Sequence, residues 1–190
     1  MNLLSGEEGD CAVSAAVSFV SAAVLGTPVP QPAFPESFSE LRGVFVTLTE
    51  NGELRGCIGY PYPVVSLKEA LQDAAYQAAL CDPRFYPVGI RELPSLDIEV
   101  TVLSPPEKLT VPAAERASAV TVGKHGLIAE RGRFRGLLLP QVPLEWGWDS
   151  AEFLDQTCIK AGLPPHAWKE ETCTILTFEG QIFKREHPWQ

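Results

Sequence analysis

Residues 42–60 read RGVFVTLTENGELRGCIGY. Val44, Phe45, Val46, Thr47 and Thr49 are β-branched or aromatic, the residue types that suit a pleated, half-buried surface. Asn51-Gly52 follows, and that pair accepts the positive φ angles of a two-residue hairpin turn. The partner strand is then Glu53 to Tyr60. A regular two-residue loop pairs Glu50 with Glu53, Leu48 with Arg55, Val46 with Cys57 and Val44 with Gly59. Neither face of such a hairpin is purely polar, so the sheet it belongs to is expected to be covered on both sides, at least in part.

Upstream, Glu7 to Leu25 is expected to be a mostly buried amphipathic helix. Its acidic start, Glu7, Glu8 and Asp10, suits a helix N-terminus and not a signal peptide. The apolar run from Cys11 to Leu25 falls short of the roughly 20 residues of a membrane span, and Ser14, Ser18 and Ser21 interrupt it. Residues 26–40 carry Pro28, Pro30, Pro32 and Pro35 and are expected to form an extended connector between two lobes.

Downstream, Ser66-Leu67-Lys68-Glu69 is a capping box. Leu67, Ala70, Leu71, Ala74, Ala75 and Ala78 follow at helical spacing, and Asp82-Pro83 ends the helix. Leu96, Ile98, Val100 and Val102 alternate with Asp97, Glu99 and Thr101, a half-buried strand. Residues 120–140 read as three strands separated by glycine turns. Asp149 to Glu152 opens another helix, with Gly162 at its end. A final hairpin is expected over 172–185, turning at Glu179-Gly180. The alternation of helices with hairpins predicts an α+β protein with a mixed, largely antiparallel sheet flanked by helices.

The chain has 190 residues and a formal net charge of -9, which opposes nucleic-acid phosphate and anionic lipid alike. Five cysteines, at 11, 57, 81, 158 and 173, include no CxxC pair, so reduced thiols and a cytoplasmic location are expected. Three histidines, at 125, 166 and 187, give no local metal-ligand cluster, and neither metal nor cofactor is expected.

Leu54-Arg55-Gly56-Cys57-Ile58-Gly59 resembles the signature of the AMMECR-one domain family. Asp82-Pro83-Arg84-Phe85, Val122-Gly123-Lys124-His125-Gly126-Leu127, Gly136-Leu137-Leu138-Leu139-Pro140-Gln141 and Thr157-Cys158-Ile159-Lys160-Ala161-Gly162-Leu163-Pro164 resemble further family segments, in the same order. The resemblance implies one domain over 1–190, with a larger and a smaller lobe. It also implies that microbial members act in a three-part system with a Memo-type protein and a radical SAM protein. It implies no agreed reaction, so whether the chain is an enzyme stays open.

Two readings of Cys57 stand side by side. A thiol two residues along a strand from Arg55 has a guanidinium on its own face, which favours thiolate, while Gly56 and Gly59 let a ligand or another backbone approach. Alternatively Cys57 is a core residue packed on Val46, since unpaired cysteines are commonly buried. His125 is either an acid or base in a cleft or an exposed turn residue. Asp82 and Arg84 read as a local ion pair, and Cys158 as core. Glu99 reads as solvated or as lining a cleft, and Gln141 can orient a ligand from a strand end. Trp146 and Trp148 either cap the core or anchor a partner. The leading functional reading is a ligand-binding or thiol-dependent component of a modification or biosynthetic system. A small molecule or peptide would lie near Cys57 and Arg55. The rival reading is a non-catalytic protein-interaction adaptor.

Overall fold

The computed structural model describes residues 3–190. In chain order the elements are α1 (Gly6–Leu25), β1 (Val44–Glu50), β2 (Glu53–Tyr60), α2 (Leu67–Leu80), β3 (Leu96–Leu103), β4 (Glu107–Lys108), α3 (Arg116–Ala119), β5 (His125–Arg131), β6 (Phe134–Leu138), α4 (Val142–Trp146), α5 (Ser150–Lys160) and β7 (Thr174–Arg185). The fold is α+β, and β1 with β2, β1 with β3, β4 with β7, β5 with β6 and β5 with β7 all pair antiparallel. The chain divides into two compact units. The first comprises residues 3–103 and 181–190, and the second is Ser104–Gly180. The Pro-rich run 26–40 lies inside the first unit and includes a 3-10 turn at Glu36–Ser39.

In the first unit the strand order is β2-β1-β3-β7. Val44, Val46 and Leu48 of β1 and Leu96, Ile98, Val100 and Val102 of β3 are buried, and they share one core with α1 and α2. The face of α1 that enters this core is Ala12, Val13, Ala15, Ala16, Phe19 and Val20. Ser5 and Glu8 cap that helix reciprocally. By length and composition α1 passes as a candidate membrane span, but its apolar stripe is a core stripe here. On α2 the buried stripe is small, Ala70, Ala74, Ala75 and Ala78, which lets the helix lie close to the sheet. Ser66 and Glu69 form its capping box. The opposite face of the strands, with Phe45, Thr47, Thr49, Asp97, Glu99 and Thr101, is half-buried.

The hairpin turn is as the sequence predicts: Asn51 and Gly52 have φ of 52° and 81°. The register beyond it differs. Leu48 pairs with Gly56, and Thr49 with Leu54, so Arg55 is an extra residue on β2. This bulge shifts every later pair by one. Cys57 therefore faces Thr47 and not Val46, Gly59 faces Phe45, and Tyr60 faces Val44.

In the second unit β7 pairs with β5, β5 with β6, and β4 adds to β7. Its core is Leu127, Ala129, Phe153, Leu154, Cys158, Trp168, Cys173 and Ile175. Asp149 caps α5 through the N–H groups of Ala151 and Glu152, and Gly162 beyond the helix has φ 77°. Two expectations fail here. Residues 120–140 hold two strands and not three, because 121–124 form a turn closed by Thr121 O on the amides of Lys124 and His125. The final hairpin is instead one strand of 12 residues. Glu179 is held extended through two bonds with Ser104, amide to carbonyl at 2.8 Å and amide to Oγ at 2.9 Å. Gly180 is therefore a strand residue in place of a turn.

Candidate functional site

Cys57 sits on β2, the outermost strand of the first unit's sheet. Its backbone is held from outside the ladder. The Cys57 amide donates to Asp82 Oδ2 at 2.8 Å, and its carbonyl accepts from Arg84 Nη2 at 3.0 Å. Asp82 and Arg84 thus take the place of a neighbouring strand at this residue and cover an exposed edge. The clamp is itself rigid. Arg84 Nε reaches Asp82 Oδ1 at 2.9 Å and Nη2 reaches Oδ2 at 2.7 Å, a two-point pair. The Arg84 amide adds a bond to Oδ1 at 3.1 Å. Asp82 is buried, and its bonds to the Arg84 guanidinium hold its carboxyl far below the usual range, with the Cys57 amide contributing.

The sequence places the Arg55 guanidinium beside the Cys57 thiol, but in the structure Arg55 turns to Glu92 and a different arginine holds Cys57. Arg55 is the bulged residue. Its Nε and Nη2 bind Glu92 at 2.7 and 3.2 Å. That ion pair is the main reason the Glu92 carboxyl titrates below its ordinary value, and the Gly89 amide adds to it. Arg84 is the arginine bound to Cys57, through the Cys57 carbonyl. Both guanidiniums lie over the ring of Phe85, at 5.9 Å for Arg55 and 5.5 Å for Arg84. No signal in the local sequence marks Asp82 and Arg84 as Cys57's partners, because they lie 25 and 27 residues away.

The glycines admit backbone. A Cβ at Gly56 would lie 2.2 Å from the carbonyl oxygen of Ala78, so glycine is what lets α2 rest on β2. At Gly59 the same space is filled by Val44 O at 2.2 Å and by Phe45.

The Cys57 sulfur points to the half-buried face. Thr47 Oγ1 donates to it at 3.3 Å. Thr47 is also the cross-strand partner of Glu99. Glu99 accepts from Thr101 Oγ1 at 3.2 Å and pairs with Lys184 Nζ at 2.8 Å. Cys57, Thr47, Glu99 and Lys184 therefore form one polar row across four adjacent strands, on the face turned away from α1 and α2.

His125 and Gln141 belong to the second unit. His125 opens β5 and is half-buried. Its Nδ1 accepts the Thr121 amide at 3.1 Å, so the neutral ring carries its proton on Nε2. Burial, and secondarily Lys124, pushes its pKa below the ordinary histidine value, against the pull of Glu179. Gln141 is exposed and precedes α4 in a turn, not at a strand end, and its carbonyl accepts from Leu144 and Glu145. Trp146 and Trp148 stack at 6.0 Å, and Trp146 is 70% exposed.

The profile of the AMMECR1 family matches residues 13–183. The chain belongs to the AMMECR1 family. It is 50% identical to a protein of Methanosarcina acetivorans, over 98% of this chain and 96% of that one. It is 47% identical to Protein MJ0810 of Methanocaldococcus jannaschii, over 99% and 95%. Among solved structures it resembles the uncharacterized protein PH0010 from Pyrococcus horikoshii, with a TM-score of 0.78 and 44% identity over 97% and 95% of the two chains. None of these names carries a reaction, so the chemistry of this AMMECR1 member rests on its own residues.

Proposed function

We propose that the half-buried sheet face of the first unit is a ligand site for a small molecule or extended peptide, with Cys57 as its reactive group. The observation that carries this reading is the polar row Cys57–Thr47–Glu99–Lys184. A thiol, a hydroxyl and a carboxylate–ammonium pair stand side by side, on strands whose other face is sealed by α1 and α2. Rigid strands hold such groups more accurately than loops do. Asp82 and Arg84 fix the Cys57 backbone, so they act as positioning residues. On this reading the chain is a thiol-dependent or ligand-binding component of a modification or biosynthetic system, working in the cytoplasm with Memo-type and radical SAM proteins.

Iodoacetamide labelling of the native chain, followed by peptide mapping, tests the site. Cys81 is exposed and serves as the internal reference. Cys57 is expected to label faster than Cys81 despite being half-buried, and a slower Cys57 removes the thiol role. Co-elution with a Memo-type and a radical SAM protein tests the partners separately.

A specific feature favours the adaptor reading as second choice. Leu144 and Trp146 on α4 are exposed large apolar side chains beside a second tryptophan, the residue type that dominates protein interfaces. Inert thiols together with partner binding abolished by Trp146→Ala would favour it.

A further inference from the structure

One guanidinium in the second unit is buried and held mainly by peptide carbonyls. Arg116 opens α3, and its side chain is 5% exposed. Its Nη1 donates to the carbonyls of Trp168, Glu170 and Cys173 at 2.5, 3.1 and 3.0 Å. Those bonds fix the group in place and use up the Nη1 side of the fork. The opposite edge, Nε with Nη2, is underused. Nε is shut off from solvent and has no hydrogen-bond partner among the described residues. Among those residues Nη2 has Glu171 Oε2 alone, at 3.4 Å.

That edge carries the two parallel N–H groups that grip a carboxylate at two points. Arg42, Arg55 and Arg84 in the first unit each set it on a carboxylate, with both contacts at 3.2 Å or less. Arg116 is built for the same grip and lacks the partner. A buried donor with no acceptor destabilises the fold, which makes the empty edge a feature in need of a cause.

A cavity of about 260 Å³ adjoins the guanidinium, lined by Arg116 and Glu171. Lys108 adds a second, exposed cation to its wall, and Thr174 a half-buried residue ending in a hydroxyl. Leu109 and Val111, both half-buried, give it an apolar side. The volume lies just below the range for drug-sized ligands, so its occupant is smaller. Glu171 is loosely held there. Its side chain is 76% exposed, and its Oε1 accepts the Ala113 amide at 3.2 Å.

We propose that Arg116 anchors a binding site for a small organic carboxylate with a short hydrocarbon tail. The ligand enters by the cavity and takes the place of Glu171, which swings out into solvent. Nη2 makes the first contact, and Nε, sealed at rest, completes the pair as the site closes. Lys108 draws the anion in, and Leu109 and Val111 receive the tail. The class follows from the group already poised at Nη2, which is itself a carboxylate on a short chain.

The test titrates butyrate into the full chain at constant ionic strength, with butyramide as the uncharged control. Binding is read by NMR from the amide shifts of residues 108–111 and 171–174. Butyrate is expected to shift them saturably, and butyramide to leave them unmoved. Glu171→Gln keeps an oxygen for the Ala113 amide and removes the competing charge, so it is expected to tighten butyrate about fivefold. Arg116→Lys keeps the charge and loses the fork, and is expected to weaken it about tenfold. The proposal is overturned if butyramide shifts the same amides equally, or if Glu171→Gln shows no saturable shift or no gain over the parent. A cooperatively melting Arg116→Lys that binds as the parent does also overturns it. Should that variant fail to fold, the Glu171→Gln and butyramide comparisons decide alone.

Discussion

Arg84 in the first unit and Arg116 in the second both stand beside a cysteine, and they are anchored in opposite ways. Arg84 is half-exposed and locked two-point onto a buried carboxylate, so its charge is paired where it stands. Arg116 is buried and anchored almost entirely on peptide carbonyls. The first arrangement fixes geometry with little net charge. The second fixes geometry and leaves positive charge in the interior. The difference teaches that a guanidinium near a thiol says little until its counter-groups are known.

The largest expected effect lies at Arg116. Replacement by leucine leaves three carbonyls without their donor, and the cost is expected to be about 4 kcal/mol. Urea denaturation measures it. A loss below about 1 kcal/mol would show that Arg116 is not the internal brace of its unit.

Asp82→Ala comes next, at about 2 kcal/mol, discounted because Arg84 is half in water. Here pH gives a second readout. Asp82's folded pKa is depressed, so its contribution is full above the unfolded value near roughly 4 and is lost as pH falls toward the folded value. The stability gap between parent and Asp82→Ala is therefore expected to shrink from about pH 5 down to about pH 2. A gap that stayed constant over that range would show that the carboxylate charge is not what holds the clamp.

The cysteines themselves sharpen the contrast. Cys158→Ser puts a hydroxyl into an apolar cluster and is expected to cost about 2 kcal/mol. Cys57→Ser keeps an oxygen where Thr47 Oγ1 can still donate, on a half-buried face, and is expected to cost under about 0.5 kcal/mol. Differential scanning of both variants decides it. If Cys57→Ser melts several degrees below the parent, Cys57 is packing and the site reading falls. Between the two cysteine variants lies Arg55→Lys, which keeps the charge but loses the two-point grip on Glu92 in a partly exposed ion pair, at about 0.5 kcal/mol by urea denaturation.

Local features of this fold are legible in the sequence, and the site's supports are not. Asn51-Gly52 sets its turn because only certain residues tolerate positive φ, and Ser66 with Glu69 sets its helix start because a cap is satisfied within four residues. The bulge at Arg55 escapes such reading. Nothing in the alternation of ELRGCIGY marks one residue as extra, and a single slip exchanges the two faces of the strand. Asp82 and Arg84 are readable as a pair because they are two apart, and unreadable as Cys57's clamp because the contact needs the fold. Arg116 is the same case in stronger form, since an arginine reads as surface until its carbonyls are found. Glu179-Gly180 misleads in the other direction. A glycine that usually marks a turn stays extended once Ser104 bonds its neighbour.

The division of the chain has a consequence for synthesis on the ribosome. Residues 104–180 are contiguous and can fold as soon as they emerge. The first unit cannot finish in that order, because it needs residues 181–190. The Phe183 ring occupies the space beside Gly9, where a Cβ would be 2.0 Å away, and Trp189 Nε1 donates to Ser21 Oγ at 2.7 Å. Until those residues leave the exit tunnel, the β3 edge has no β7 beside it and the helix α1 has no cover at Gly9. The nascent chain thus carries an open strand edge through most of its translation, the interval in which a chaperone or a co-translational partner has the most to bind.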